Sequence, residues 1–133
     1  MSQENVKIAR RIYGGWLRGD FRTGADIFDP DIEFKLRFGL DESEGRGADA
    51  LASAWLDYLR SWEDWRTGEI TDVIESGDGV VVVSPIRGRG KHSGAEVEIP
   101  DAACAFAFQN GKIVRIVLTG SRREALEAVG LSE

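Results

Sequence analysis

The sequence predicts an α+β domain, with helices segregated from a run of antiparallel strands. Three observations carry this. Apolar residues recur at helical spacing over residues 6–17 and 48–62. Residues 32–38 alternate strictly between apolar and charged. In the last third, two strand-like runs, 96–108 and 112–119, meet at Asn110-Gly111, a dipeptide that favours a tight hairpin.

The first helix presents Val6, Ala9, Ile12, Tyr13, Trp16 and Leu17 on one side, with Ser2 placed to cap it and Arg10, Arg11 and Arg18 mostly off that side. Gly14-Gly15 weakens it by up to ~1 kcal/mol per glycine relative to alanine, and leaves room for another backbone to approach. Gly19-Asp20 ends it. A short second helix is expected near 23–28, stopped by Asp29-Pro30. In the strand 32–38, Ile32, Phe34, Leu36 and Phe38 oppose Glu33, Lys35 and Arg37. Residues 39–47 read as a polar loop. The helix over 48–62 carries the stripe Leu51, Trp55, Leu59 and Trp62. Strands follow at 65–75 and 80–87, separated by Ser76-Gly77-Asp78-Gly79, and a hairpin runs through 88–94. Ser121 caps a final helix over 122–129, and Gly130 stops it.

The run 96–108 sorts its residues by size. Ala102, Cys104, Phe106 and Phe108 share one face, and Asp101, Ala103, Ala105 and Ala107 the other. The bulky face is expected to line a core or pocket. The flat face, continued by Arg115, Val117 and Thr119, is expected to meet a second copy of the chain and form a homodimer.

With 133 residues the chain has the length of a single domain, taken as 1–133. Apolar content of 42% and charged content of 30% fit a soluble globular protein, and no run approaches the ~18 apolar residues of a membrane span. The first five residues carry neither a basic flank nor an apolar signal core, so a cytoplasmic location is expected. Cys104 is the sole cysteine, which rules out an intrachain disulfide and a cysteine-based zinc site. No ligand cluster spaced for a metal is visible, and no cofactor is expected. The formal charge of −6 disfavours nucleic acid. The basic stretch Arg87-Gly88-Arg89-Gly90-Lys91-His92 reads as a solvated hairpin tip.

Several segments, in order, resemble the nuclear transport factor 2-like superfamily, and within it the SnoaL-like proteins. They are Ile12-Tyr13-Gly14-Gly15-Trp16-Leu17-Arg18-Gly19-Asp20, Phe28-Asp29-Pro30-Asp31-Ile32-Glu33-Phe34, Gly45-Arg46-Gly47, Val73 to Val82, Asn110-Gly111-Lys112-Ile113-Val114 and Arg123 to Leu131. The resemblance spans nearly the whole chain. It implies a cone, a curved antiparallel or mixed sheet wrapped around three helices with a short C-terminal helix, and an apolar pocket opening at one end. The expected lining, binding a small apolar molecule, is Trp16, Phe34, Leu36, Phe38, Trp55, Leu59, Trp62, Cys104, Phe106, Ile116 and Leu118. Arg87 joins them at the mouth if Val81, Val83 and Pro85 face inward; otherwise it pairs with Glu96 or Glu98.

The superfamily includes enzymes and binding domains, and the residues separate them only in part. A steroid-isomerase-like member would need a carboxylate base, a phenol and a neutral carboxylic acid. Alignment places Leu36, Ile12 and Cys104 at those positions, with Tyr13 about 100° around the helix from Ile12. An epoxide-hydrolase-like member would need two carboxylates and an arginine; Asp101 and Arg87 are the nearest groups, with Asp101 on the small-residue face unless a bulge at Pro100 reverses it. For a cyclase-like acid or base the candidates are Asp101, then Asp41, Glu42 and Glu44. His92 reads as exposed and Cys104 as a buried structural thiol. The reading is therefore a small-molecule-binding SnoaL-like protein, either an isomerase, cyclase or hydrolase of an apolar carbonyl compound, or a non-catalytic binding or dimerisation domain.

Overall fold

In a computed structural model that describes residues 2–20, 22–37 and 42–130, the chain forms three α-helices and nine strands. Helix α1 spans Ser2–Leu17, and a single 3-10 turn at Ala25–Ile27 leads into β1, Phe28–Arg37. Then come β2 (Ser43–Arg46), α2 (Ala48–Arg60), β3 (Trp62–Thr67), β4 (Asp72–Ser76), β5 (Gly79–Val83), β6 (Ile86–Gly90), β7 (Glu96–Ile99), β8 (Ala103–Gln109), β9 (Lys112–Thr119) and α3 (Arg122–Ala128). A six-stranded sheet runs in the order β2-β1-β9-β8-β5-β4, and a three-stranded sheet in the order β3-β6-β7. All pairings are antiparallel except β1 with β9, so the large sheet is mixed.

The two sheets share chain segments that read as continuous strands in the sequence. Each of the three expected runs, 65–75, 80–87 and 96–108, breaks in its middle, at 68–71, at Ser84-Pro85 and at 100–102. Pro85 and Pro100 have no N–H to give a ladder. The breaks lie side by side and bond to one another: Gly68 N donates to Pro85 O at 2.7 Å, and Ser84 N to Ala102 O at 2.9 Å. The buried Ser84 hydroxyl sits 2.8 Å from Thr67 Oγ1 and donates to Gly68 O at 2.7 Å. This crease carries the curvature.

Three other boundaries move. The expected helix over 23–28 shrinks to one 3-10 turn, and β1 begins at Phe28, running through Asp29-Pro30 as a bent edge before it reaches Glu33 in register with β9. Part of the expected loop 39–47 is β2, paired with β1. Helix α2 ends at Arg60, so Trp62 belongs to β3 and not to the helical stripe. Gly15 makes a close approach, to a side chain and not to the backbone expected: a Cβ there would overlap the Thr23 side chain.

The inner face of the large sheet packs Ile32, Phe34, Leu36, Val80, Val82, Cys104, Phe106, Phe108, Ile113, Ile116 and Leu118 against α1 and α2. The outer face carries Val81, Val83, Ala103, Ala105 and Val117, covered by Ala125 and Leu126 of α3. The flat face therefore exists as read, but the chain's own C-terminal helix occupies it: Ala103, Ala105, Val117 and Thr119 are all buried. The small side chains of β8 let the helix settle close to the sheet. Ser121 caps it, Arg122 pairs with Asp72 at 2.6 Å, and Arg115 donates to Ala128 O at 3.2 Å. Ala107 and Arg115 are half-buried beside it, and Asp101 is exposed.

Candidate functional site

Helical spacing on α1 and α2 brings an unusual amount of aromatic surface to the inside of the sheet. All four tryptophans and both tyrosines join one contiguous cluster. Tyr13 meets Trp16 at 4.9 Å between ring centroids and Phe106 edge-on at 6.4 Å. Trp16 stacks on Trp55 at 5.5 Å, and Trp55 on Tyr58 at 5.5 Å. Trp65 stands edge-on to Trp55, and its Nε1 donates to Tyr58 Oη at 2.8 Å. Such offset and edge-to-face pairs add about 0.5–1.5 kcal/mol each beyond area burial.

A cleft of about 670 Å³ opens beside this cluster, between the end of α1, one side of α2 and the inner face of β9. Its floor is made by Trp16, Leu51, Trp55, Leu59, Ile116 and Leu118, with Phe28 at one side. Its mouth carries the exposed residues Asp20, Arg22, Ala25, Asp49, Ala52 and Leu56. Leu56 leaves 52% of its surface uncovered, high for a leucine of this size on a helix that otherwise buries its apolar face. Asp20 Oδ1 accepts from Arg22 N at 3.2 Å, which fixes the turn at the mouth. At the floor, Trp16 is 6% exposed and its Nε1 has no hydrogen-bond acceptor. A buried N–H left unpaired costs roughly 1–3 kcal/mol.

Of the residues expected to line a pocket, Trp16, Trp55, Leu59, Ile116 and Leu118 meet at this cleft. Leu36, Cys104 and Phe106 are fully packed in the core instead, and Phe34 lies over Gly45, where an added Cβ would come within 2.9 Å of the ring. Trp62 covers Gly88 on β6 and meets Tyr58, away from the cleft. Phe38 and Asp41 lie outside the described residues. Arg87 is exposed and pairs with Glu98 at 3.7 Å. The condition for its facing inward fails, because Val81 and Val83 point to α3 while Val80 and Val82 point inward. The neighbouring Arg89 pairs with Glu96 at 3.1 Å, so much of the basic hairpin stretch is neutralised across the strands, and His92 is exposed.

The carboxylates considered for catalysis sit elsewhere. Asp101 faces solvent. Glu42 and Glu44 are held by Lys35, and Glu42 also by Arg37, on the outer side of β1. Among the described residues no group of three or more histidine, cysteine, aspartate or glutamate side chains is arranged to hold a metal ion. Nor is any helix among them long and apolar enough to cross a membrane.

Two buried groups were not paired by sequence reasoning. Ile12 and Tyr13 both point inward, so the phenol is not turned aside by the helical offset, and it meets the Cys104 thiol. Burial, and then the neighbouring thiol, raises the Tyr13 pKa well above its ordinary value; burial raises that of Cys104 in the same way. Both stay protonated and neutral at physiological pH. Burial also raises Tyr58, against the opposing hydrogen bonds from Trp65 and Trp62. The missed cleft residues Phe28, Ala52 and Leu56 left little trace in the sequence: Leu56 sits off the Leu51–Trp55–Leu59 stripe and reads as an ordinary surface leucine.

The SnoaL-like domain model matches residues 9–116. Among solved structures, an NTF2-like protein of unknown function from Burkholderia pseudomallei superposes with a TM-score of 0.76 at 19% identity, covering 98% of this chain and 99% of the other. An NTF2-like protein from Burkholderia xenovorans gives 0.71 at 26% identity, with 89% of each chain covered. A candidate SnoaL-like polyketide cyclase from Jannaschia sp. CCS1 gives 0.73 at 15% identity, over 88% of this chain and 85% of the other. No curated protein matches the sequence significantly.

Proposed function

We propose that this chain, which belongs to the SnoaL-like domain family, holds a small apolar molecule in the cleft between the end of α1 and α2. The observation that carries this reading is the cleft itself: about 670 Å³ floored by aromatic and aliphatic side chains. A concavity of that size and lining is the ordinary form of a small-molecule site. Its aromatic cluster and SnoaL-like polyketide-cyclase type of fold agree with a ring-bearing ligand.

A catalytic version of the same reading is an isomerase, cyclase or hydrolase acting on an apolar carbonyl compound. The observation favouring it is the pair Asp20 and Asp49 at the mouth, the carboxylates among the described lining residues. Both are exposed. Binding without acid–base chemistry is the better-supported reading, because the floor that would surround the reacting atoms is apolar.

The test is a titration with N-phenyl-1-naphthylamine, an uncharged dye that brightens on leaving water. Wild-type protein is expected to bind it saturably. Ala52→Trp places an indole at the exposed mouth without touching the core, and is expected to abolish binding while leaving the melting temperature within a few degrees. Saturable binding that survives Ala52→Trp would place the ligand elsewhere and remove the proposal.

A further inference from the structure

We infer that the cleft takes an extended, unbranched alkyl chain, lying along α2, as the main apolar part of its ligand. This rests on the ligand-binding reading of the cleft and adds a shape to it. Helix α2 lines the cleft from Ala48, through Ala52 and Leu56, to Leu59. From residue 48 to residue 59, at ~1.5 Å of rise per residue, that wall is ~16 Å long. A zigzag of ~1.5 Å carbon–carbon bonds advances a little less than one bond length per carbon, so about a dozen carbons span it.

The choice of a chain over a flat ring follows from which lining atoms a ligand can reach. Trp16 and Trp55 are only 6% and 9% exposed, and Trp55 is already stacked on Trp16 and on Tyr58, each at 5.5 Å. Neither has an open indole face to give. The reachable surface of the wall belongs to Ala52 and Leu56, which are exposed, and to Ala48 and Leu59, which are half-buried. These four are aliphatic and recur every three or four residues, so they form one stripe down the length of α2. Ala25, also exposed, faces the cleft from the other side. A methylene chain covers such a stripe from end to end, whereas a compact polycycle covers one turn and leaves the rest in water. Phe28, half-buried at one side, is the place for a ring carried on that chain.

The experiment displaces N-phenyl-1-naphthylamine from the full chain with uncharged, linear 1-alkanols, from hexanol to tetradecanol. Affinity is expected to rise about threefold with each added CH2, most of the worth of burying one, and to level off near dodecanol. In 1H–15N NMR spectra of the wild type, dodecanol is expected to shift amide signals along the whole wall, from Ala48 to Leu59. Ala52→Trp reports separately on the cleft and is expected to block the dye and every alkanol. An affinity that stops rising at octanol, or shifts confined to one turn of α2, would leave the cleft and remove the chain. An affinity still climbing at tetradecanol would also remove it, because the wall would then set no limit. If the dye binds in a way that Ala52→Trp blocks but no alkanol displaces it, the chain falls alone. If Ala52→Trp does not fold, the wild-type amide shifts decide. If dye binding survives Ala52→Trp, the cleft reading and this inference fall together.

Discussion

Phe106→Ala measures whether the inner face of the sheet is packed core or the wall of a cavity. Phe106 is fully buried, sits edge-on to Tyr13 at 6.4 Å, and lies 6.5 Å from Phe108. It does not line the cleft. Truncation therefore removes a whole ring from a region with no open volume to absorb the change, and should cost about 3–5 kcal/mol. For 133 residues the unfolding entropy is roughly 0.28 kcal/mol/K near the melting temperature, so the expected drop is about 11–18 °C. Leu56→Ala is the control: that side chain is 52% exposed, and its removal should stay within about 0.5 kcal/mol. Urea and thermal unfolding followed by circular dichroism read both. A loss under about 1.5 kcal/mol for Phe106→Ala would mean that space already surrounds the ring, and the division between packed core and cleft would be wrong.

Ala105→Trp should unseat α3, since Ala105 is 2% exposed beneath Ala125 and Leu126. Faster amide exchange across 122–128, with the protection of α1 and α2 unchanged, is the expected result; wild-type protection of α3 would contradict it. Stability should fall at alkaline pH. Tyr13 and Cys104 have folded pKa values above their ordinary 10.0 and 9.0, so their contribution is complete below about pH 9 and is lost as pH rises from there. Urea midpoints at pH 7, 9 and 10.5 should decline in that order, less steeply in Tyr13→Phe. Isomerisation of a β,γ-unsaturated ketosteroid should be undetectable, because the position of the base is the buried Leu36; turnover abolished by a cleft substitution would refute this. The homodimer proposed through the outer sheet face would have to use Ala107 and Arg115 beside α3, and sedimentation showing only monomer at micromolar concentration would reject it.

The local patterns of the chain were enough to determine its elements and which side chains share a face. Alternation placed Cys104, Phe106 and Phe108 together and Ala103 and Ala105 opposite them, and the structure keeps that division. The stripes of α1 and α2 likewise brought Trp16, Trp55 and Leu59 to one cleft. Periodicity could do this because it depends only on the geometry of one element at a time. It could not place Arg87, because alternation alone does not say which set of residues in the run 80–87 faces inward; Val80, Val82 and Ile86 do, and Arg87 falls in the other set. It could not assign Trp62, since a helix that stops at Arg60 and one that continues two residues further carry the same stripe. Nor could it show that α3 folds back over the flat face, that Tyr13 meets Cys104, or that the Trp16 N–H ends without an acceptor. Each of these depends on how elements distant in sequence pack together. A hydrogen-bond partner, or the lack of one, belongs to the assembled packing and is written in no single segment of the chain.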